Sequence, residues 1–431
     1  MGAAEGPMMR RGAISRASGQ WAKQSEAWAW FGGYMPLSAA RAMLNTYSAG
    51  NGVTMSFADN SLVIADPVTP ANNYEGPLVN QGTGLFNKLT YTRASAATAV
   101  VNGILQTFSA GVPRIQKVSG VKAYLAEASS TNLALQCRDM TQAAWVKVNA
   151  TVALTATGAD NVANSATTIT ATAANATVLQ TVTQVATQDV ASFWLRRRTG
   201  ASTVNITQDG TTWSAVTLTS SWQRFAIPAA TLTNPIIGIQ ITTSGDAVDA
   251  DYSQLEAGKF ASSAILTTTA AATRAADALS LPSTICNMTT SATLYAKIDT
   301  SLQTLNSSSY STVLTGYNAG QTDYAIMRFN GTTAAREVDG GVASVSQWTS
   351  TVGSSVGGYI NSKWAMAWNT GNIGAYFNGA QDFTSLSGNA PTVTTVYIGS
   401  NAGAQPLNGV FLECMFAGQR IPNAQLQALT T

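Results

Sequence analysis

The run Pro-Ile-Ile-Gly-Ile-Gln-Ile at 235–241 constrains this chain more than any other stretch. Ile237, Ile239 and Ile241 fall on one face, and Ile236, Gly238 and Gln240 on the other. Period-two alternation of β-branched residues marks a half-buried strand. A second strand ends at Leu255, and Gly258 supplies the turn after it. Two such strands with loop signals on either side form the spine of a β-sandwich. Further strands are predicted at 151–157, 166–172, 178–182, 191–196, 204–208 and 214–218, while 139–145 reads as a short turn or helix. Many short strands separated by Gly, Asn and Asp turns predict a jelly-roll-like sandwich over 131–277. Within 191–196, Ala191, Phe193 and Leu195 share the core face, so Ser192, Trp194 and Arg196 point outward. An outward Trp194 beside Arg196 is a candidate platform for a sugar ring or a neighbouring subunit. The alternative is a loop of the same chain over the indole, since large aromatics are highly buried on average.

Residues 278–431 repeat the pattern. Leu294, Ala296 and Ile298 alternate in one strand, and Trp364, Met366 and Trp368 in another. The segment 373–377 ends at Asn378-Gly379, a hairpin signal that also occurs upstream at Asn102-Gly103. Strands at 395–398 and 407–416 follow, and 421–429 reads as a short helix with Asn423 as its cap. The expected fold class is mainly β, with two jelly-roll-like β-sandwiches in tandem at 131–277 and 278–431. Before them come a short, partly helical N-terminal anchor at 1–65 and a linker with short strands at 66–130. Within that linker, 66–77 is punctuated by prolines and reads as extended chain.

Trp222-Gln223-Arg224 is followed by Gln254-Leu255-Glu256 and Gly258. Tyr91-Thr92-Arg93-Ala94-Ser95 and Glu127-Ala-Ser-Ser-Thr-Asn132-Leu133 lie upstream, and Thr273-Arg274-Ala275-Ala276-Asp277 lies downstream. In this order and spacing the motifs resemble the middle domain of a group of bacteriophage virion proteins, tail and head fibres among them. Tyr376-Phe377-Asn378-Gly379, Val396-Tyr397-Ile398-Gly399-Ser400, Leu407-Asn408-Gly409 and the final Arg420-Ile421-Pro422-Asn423-Ala424-Gln425-Leu426 resemble a concanavalin-A-like or laminin-G-like jelly roll. The resemblance covers about residues 85–431. It implies a carbohydrate-binding-module-like central sandwich and a place on the virion surface. It also implies host surface polysaccharide as ligand; other virion proteins are expected as partners through the N-terminus, which lies outside the resemblance. A protein made in the host cytoplasm and released by lysis needs no signal peptide, and none is read here.

Histidine is absent from all 431 residues. That removes Ser-His-Asp and Cys-His catalysis and the commonest transition-metal ligand. Acid–base chemistry then needs paired carboxylates. The acids of the C-terminal part are Asp299, Asp323, Glu337, Asp339, Asp382 and Glu413, and no strand carries the Glu, Asp, Glu face of the glucanases with this fold. The expectation is therefore a binding protein and not an enzyme. A glycan depolymerase and a purely architectural decoration protein are the rival readings. Asp249 and Asp251 share a strand face suited to a hard cation such as calcium; solvated acids at a strand start are the plainer reading. No other cofactor is expected.

Charged residues make up 10% of the chain, far below the usual quarter. Ala, Thr, Ser, Asn and Gly replace them, as on extracellular β-proteins. A net charge of +2 gives no field for nucleic acid, and no segment is long and apolar enough for membrane insertion. Arg196-Arg197-Arg198 reads as a strand end running into the Thr199-Gly200 turn. Cys137, Cys286 and Cys414 are odd in number and far apart, so they are expected as free thiols. Low charge with outward aromatics predicts a homo-oligomer, with a trimer expected. At the N-terminus, Trp21, Trp28, Trp30, Phe31 and Tyr34 crowd a polar, Ala-rich segment too short to bury them, which makes them candidate virion-docking residues. In the C-terminal sandwich, Tyr317, Asn318 and Trp348 lie near turns and join Trp194 and Arg196 as glycan-binding candidates.

Overall fold

The computed structural model describes residues 52–56, 61–65, 74–77, 88–118, 121–285, 288–300, 310–331, 333–353 and 361–431. The aromatic cluster at Trp21, Trp28, Trp30, Phe31 and Tyr34, the helical part expected of the N-terminal anchor, and Cys286 lie outside the described residues. The protein is mainly β, built from antiparallel sheets with one α-helix among the described residues.

The central sandwich forms around the alternating run. Strand Ile236–Ile241 lies in a five-stranded sheet between Ala176–Thr181 and Val204–Thr207, with Val146–Val148 and Ser214–Val216 at the edges. Opposite it, a six-stranded sheet is centred on Ala247–Ala257 and Thr187–Thr199. Ile237, Ile239 and Ile241 are fully buried and meet Phe193, Leu195, Val248 and Leu255 of the facing sheet. Each buried aliphatic side chain of this size contributes about 1.5–3 kcal/mol. Gly238 is needed on the other face, where a Cβ would lie 2.3 Å from the Val178 carbonyl oxygen.

The second sandwich holds the larger core. Its ten-stranded sheet includes Gly409–Ala417, Ala292–Asp299, Ser362–Asn369 and Asn372–Phe377, and its seven-stranded sheet runs from Val345–Val352 to Thr90–Thr92. Leu294, Trp364, Met366 and Phe416 from one sheet pack with Leu314, Met327 and Val396 from the other. The strands before the central sandwich belong here as well. Gly52–Ser56 and Val121–Ala126 pair with Gly409–Ala417, and Thr90–Thr92 pairs with Ala278–Pro282. Val53 and Met55, read as part of the N-terminal anchor at 1–65, are instead fully buried in this core. Tyr74–Pro77, read as the end of a linker, is a strand paired with Ser61–Ala65. The chain enters and leaves the central sandwich through one short ladder, Ser130–Asn132 against Ala272–Arg274.

A hairpin of Ala97–Val101 and Ile104–Phe108 fills the space between the sandwiches. Its Asn102-Gly103 turn has φ of 54° and 80°, the left-handed pair that a tight two-residue hairpin demands. Ala99 packs with Leu125, Val410 and Leu412 of the ten-stranded sheet. Leu105 packs with Trp194 and Tyr252 of the six-stranded sheet. The C-terminal helix spans Asn423–Thr430, but Pro422 is the N-cap. Asn423, expected as the cap, has its side-chain oxygen taken by the Arg420 guanidinium, so no capping bond forms.

Candidate functional site

The motifs scattered from Tyr91 to Asp277 meet at the neck of the central sandwich. Asp277 accepts hydrogen bonds from the Tyr91 hydroxyl at 2.5 Å, Arg93 Nη1 at 3.1 Å, the Glu127 amide at 2.9 Å and Arg114 Nη2. Glu127 accepts from Arg114 at 2.5 Å and from the Ser263 amide and hydroxyl at 2.9 and 2.7 Å, with Arg274 at 3.7 Å. Glu256 accepts from Gln254 at 2.5 Å, from the Ser262 amide and hydroxyl at 2.7 and 2.6 Å, and from the Ser130 hydroxyl. Asn132 ties the Ser253 and Ile265 carbonyls to its amide nitrogen and accepts from the Ala134 and Leu255 amides. Burial alone would raise the Glu127 carboxyl, but Arg274, Arg114 and Ser263 hold it well below the usual carboxylate range. The oxygens of these carboxylates are taken up by donors of the same chain. The network is a buried latch: its acids are matched by arginines, as burial of charge requires.

A different surface gathers the groups that suit a sugar. In the seven-stranded sheet, Leu314, Met327, Val338 and Val396 face the core. The alternate positions Tyr317, Tyr324, Arg328, Asp339 and Tyr397 therefore share the opposite face. The Tyr317 ring centroid lies 6.4 Å from Tyr324 and 6.4 Å from Tyr397. Tyr324, Tyr397 and Arg328 are partly exposed. The Arg328 guanidinium stacks on Tyr310 with 3.7 Å to the ring centroid, and reaches Glu337 at 3.2 Å and Asp339 at 3.5 Å. Burial pushes the Asp339 carboxyl up, against the pull of Arg328. Burial also raises the Tyr317 and Tyr324 hydroxyls, which stay neutral donors. Rings, a guanidinium and carboxylates together offer stacking and directional hydrogen bonds.

The sequence-derived candidates divide between these places. Tyr317 belongs to the tyrosine face, although it is itself only 8% exposed. Asn318 is spent on its own turn, donating to the Thr322 hydroxyl and accepting from the Thr322 amide, both at 2.9 Å. Trp348 is a core residue and not a surface platform: its ring covers Gly340, where a Cβ would sit 2.0 Å from it. Trp194 leaves the outward face as expected, but the 97–108 hairpin covers that face and the indole is only 7% exposed. Arg196 pairs with Asp249 at 2.8 Å and stacks on Trp222 at 4.7 Å. Arg198 also pairs with Asp249, at 3.0 Å, and Arg197 donates to the Ser202 carbonyl at 2.7 Å, so the arginine run serves the strand end.

Calcium finds no free acid at the expected place. Asp249 is occupied by Arg196, Arg198 and Thr168, and Asp251 by Arg138 at 2.7 Å and the Ala159 amide at 2.8 Å. No cluster of three metal-ligating side chains occurs among the described residues. Cys137 and Cys414 are free, buried thiols. Sequence reasoning missed Tyr324, Arg328, Asp339 and Tyr397. The available signal was the shared parity of Tyr324 and Arg328 in one strand, but only the register adds Asp339 and Tyr397.

No protein-family model matches the chain, and no curated protein matches it. Among solved structures, one similar chain is domain 4 of AbnA, a GH43 extracellular arabinanase from Geobacillus stearothermophilus, in complex with arabinotriose. It has 13% identity and a TM-score of 0.27 over 36% of this chain and 73% of that one. A heptameric SAP-like pentraxin from Limulus polyphemus has 11% identity and a TM-score of 0.25 over 33% of this chain and 70% of that one. Trypanosoma rangeli sialidase has 14% identity and a TM-score of 0.26 over 36% of this chain and 25% of that one. Likenesses at such TM-scores fix neither a fold nor a function.

Proposed function

We propose that this is a non-enzymatic virion protein of the bacteriophage fibre or spike type that binds host surface glycan through the tyrosine face of its second sandwich. The observation that carries the binding reading is the grouping of Tyr317, Tyr324 and Tyr397 with Arg328 and Asp339 on one sheet face. What supports the virion reading is that the motifs behind the resemblance, up to 186 positions apart, meet in one buried network. Glu337 and Asp339 are the acids that favour the depolymerase as a second reading, since they lie on one face of one strand. Both sit on a single guanidinium, which suits a held pair better than a separate acid and base.

Purified protein incubated with host surface polysaccharide tests these readings together. Binding with unchanged chain length is expected, and Tyr324→Ala with Tyr397→Ala is expected to weaken it at least tenfold. New reducing ends that disappear in Asp339→Asn would establish the depolymerase instead. Full-strength binding by the double tyrosine variant would remove the tyrosine face from the proposal. Immunogold labelling of intact particles, with no signal on any virion structure, would remove the virion reading. Assembly as a homotrimer belongs to the same proposal, and a clean monomer mass by light scattering at micromolar concentration would exclude it.

A further inference from the structure

Between the 97–108 hairpin and the six-stranded sheet lies a cavity of about 210 Å³. Apolar Val100, Leu105 and Leu125 line part of it, and Gln116, Glu127, Trp194, Arg224 and Ser263 supply its polar wall. Trp194 and Arg224 are register partners on neighbouring strands, so their side chains leave the same face of the sheet side by side. Arg224 uses its terminal nitrogens on the Ser262 carbonyl and on the Ser192 hydroxyl at 2.9 Å. Its Nε–H has no acceptor, and neither has the indole N–H of Trp194, although both are buried. The shortage is one-sided. Arg114 Nε and Arg274 Nε at the adjoining network also lack acceptors. Glu127 cannot supply one, because Arg114, Arg274 and Ser263 already occupy its oxygens.

Buried donors without acceptors are rare and costly, about 1–3 kcal/mol each. A carboxylate is the group that is acceptor only and presents two oxygens to two adjacent donors. We propose that this cavity is a binding site for a small organic carboxylate, from acetate up to a single uronic acid ring, held by Arg224 Nε and Trp194 Nε1. The site is separate from the tyrosine face, and its occupancy is independent of whether that face binds glycan. A ligand here touches the hairpin and both sandwiches, so binding also stabilises their packing.

The test is calorimetric titration of the full-length protein with acetate and D-glucuronate, against D-glucose and inorganic phosphate. One carboxylate per chain is expected, with no heat from glucose. Trp194→Phe is expected to weaken binding roughly fivefold, for one lost hydrogen bond, and Arg224→Gln by tenfold or more. Should Arg224→Gln fail to fold, the indole N–H resonance of Trp194, assigned by its loss in Trp194→Phe, provides a second readout in the unaltered chain. It is expected to move downfield with acetate or glucuronate and to stay put with glucose. No heat and no indole shift with either carboxylate at tens of millimolar would overturn the proposal, since water alone then fills the cavity. Equal shifts with glucose or phosphate would overturn the assignment to carboxylates.

Discussion

Replacing Asp277 with alanine removes the acceptor on which four donors converge. Tyr91, Arg93, Arg114 and the Glu127 amide all lose a partner, and the carboxylate they share has a fully buried side chain. Breaking a buried ion pair from one side costs about 3–5 kcal/mol, because the remaining charge is stranded. For a cooperative unit of a few hundred residues, each kcal/mol moves the thermal midpoint by about 2–4 °C. Asp277→Ala should therefore lower the midpoint by roughly 6–20 °C in differential scanning calorimetry. The control is Arg198→Ala. Its ion pair with Asp249 has an arginine side chain 43% exposed, and pairs of that kind contribute about 0–1 kcal/mol. If the damage comes from stranded charge, Arg114→Met combined with Asp277→Leu should cost less than the sum of the two single variants, because the pair's charges leave together. A midpoint for Asp277→Ala within 2 °C of the control would refute the latch, and a strictly additive double variant would refute the role of charge.

Asp189 is fully buried, with one oxygen accepting from Gln184, and burial raises its carboxyl to about 6. A folded-state value above the unfolded one means that its stabilising contribution is complete below about pH 4 and lost as pH rises through 6. Asp189→Asn should accordingly melt higher than the unaltered protein at pH 7.5 and equally at pH 4; the opposite order would sink the assignment. Gly340→Ala places a methyl 2.0 Å from the Trp348 ring and should cost about 1–3 kcal/mol in urea denaturation, whereas an unchanged midpoint would mean that the ring moves freely. Deleting residues 1–47 should leave the thermal midpoint unchanged and abolish incorporation into particles. Deletion to 65 should lower the midpoint as well, because it strips Val53 and Met55 from the core. Particles carrying the shorter truncation at normal copy number would remove the anchor from the proposal.

The sequence by itself determined most strands of the central sandwich, but not the strands from Tyr310 to Val352 that build most of the seven-stranded sheet. Alternation at 236–241 and at 191–195 gave the two inner faces of the central sandwich, because a period of two puts every second side chain in the core. The Asn102-Gly103 and Asn378-Gly379 pairs fixed two hairpins, because Asn and Gly take a positive φ, as all four do here, at the least steric cost. The absence of histidine closed off whole classes of chemistry before any fold was known. Tertiary structure decided what alternation cannot express. Parity says that Trp194 leaves the core face; only the hairpin packed above it makes that face an interior. Parity places Trp348 on one side of its strand; only the neighbouring Gly340 turns that side into a socket. The motif acids and arginines are separated by up to 186 positions, and their pairing depends on the ladder at the neck and on strands donated across the chain. The tyrosine face depends on register among four strands, and register is a property of the assembled sheet rather than of any one segment.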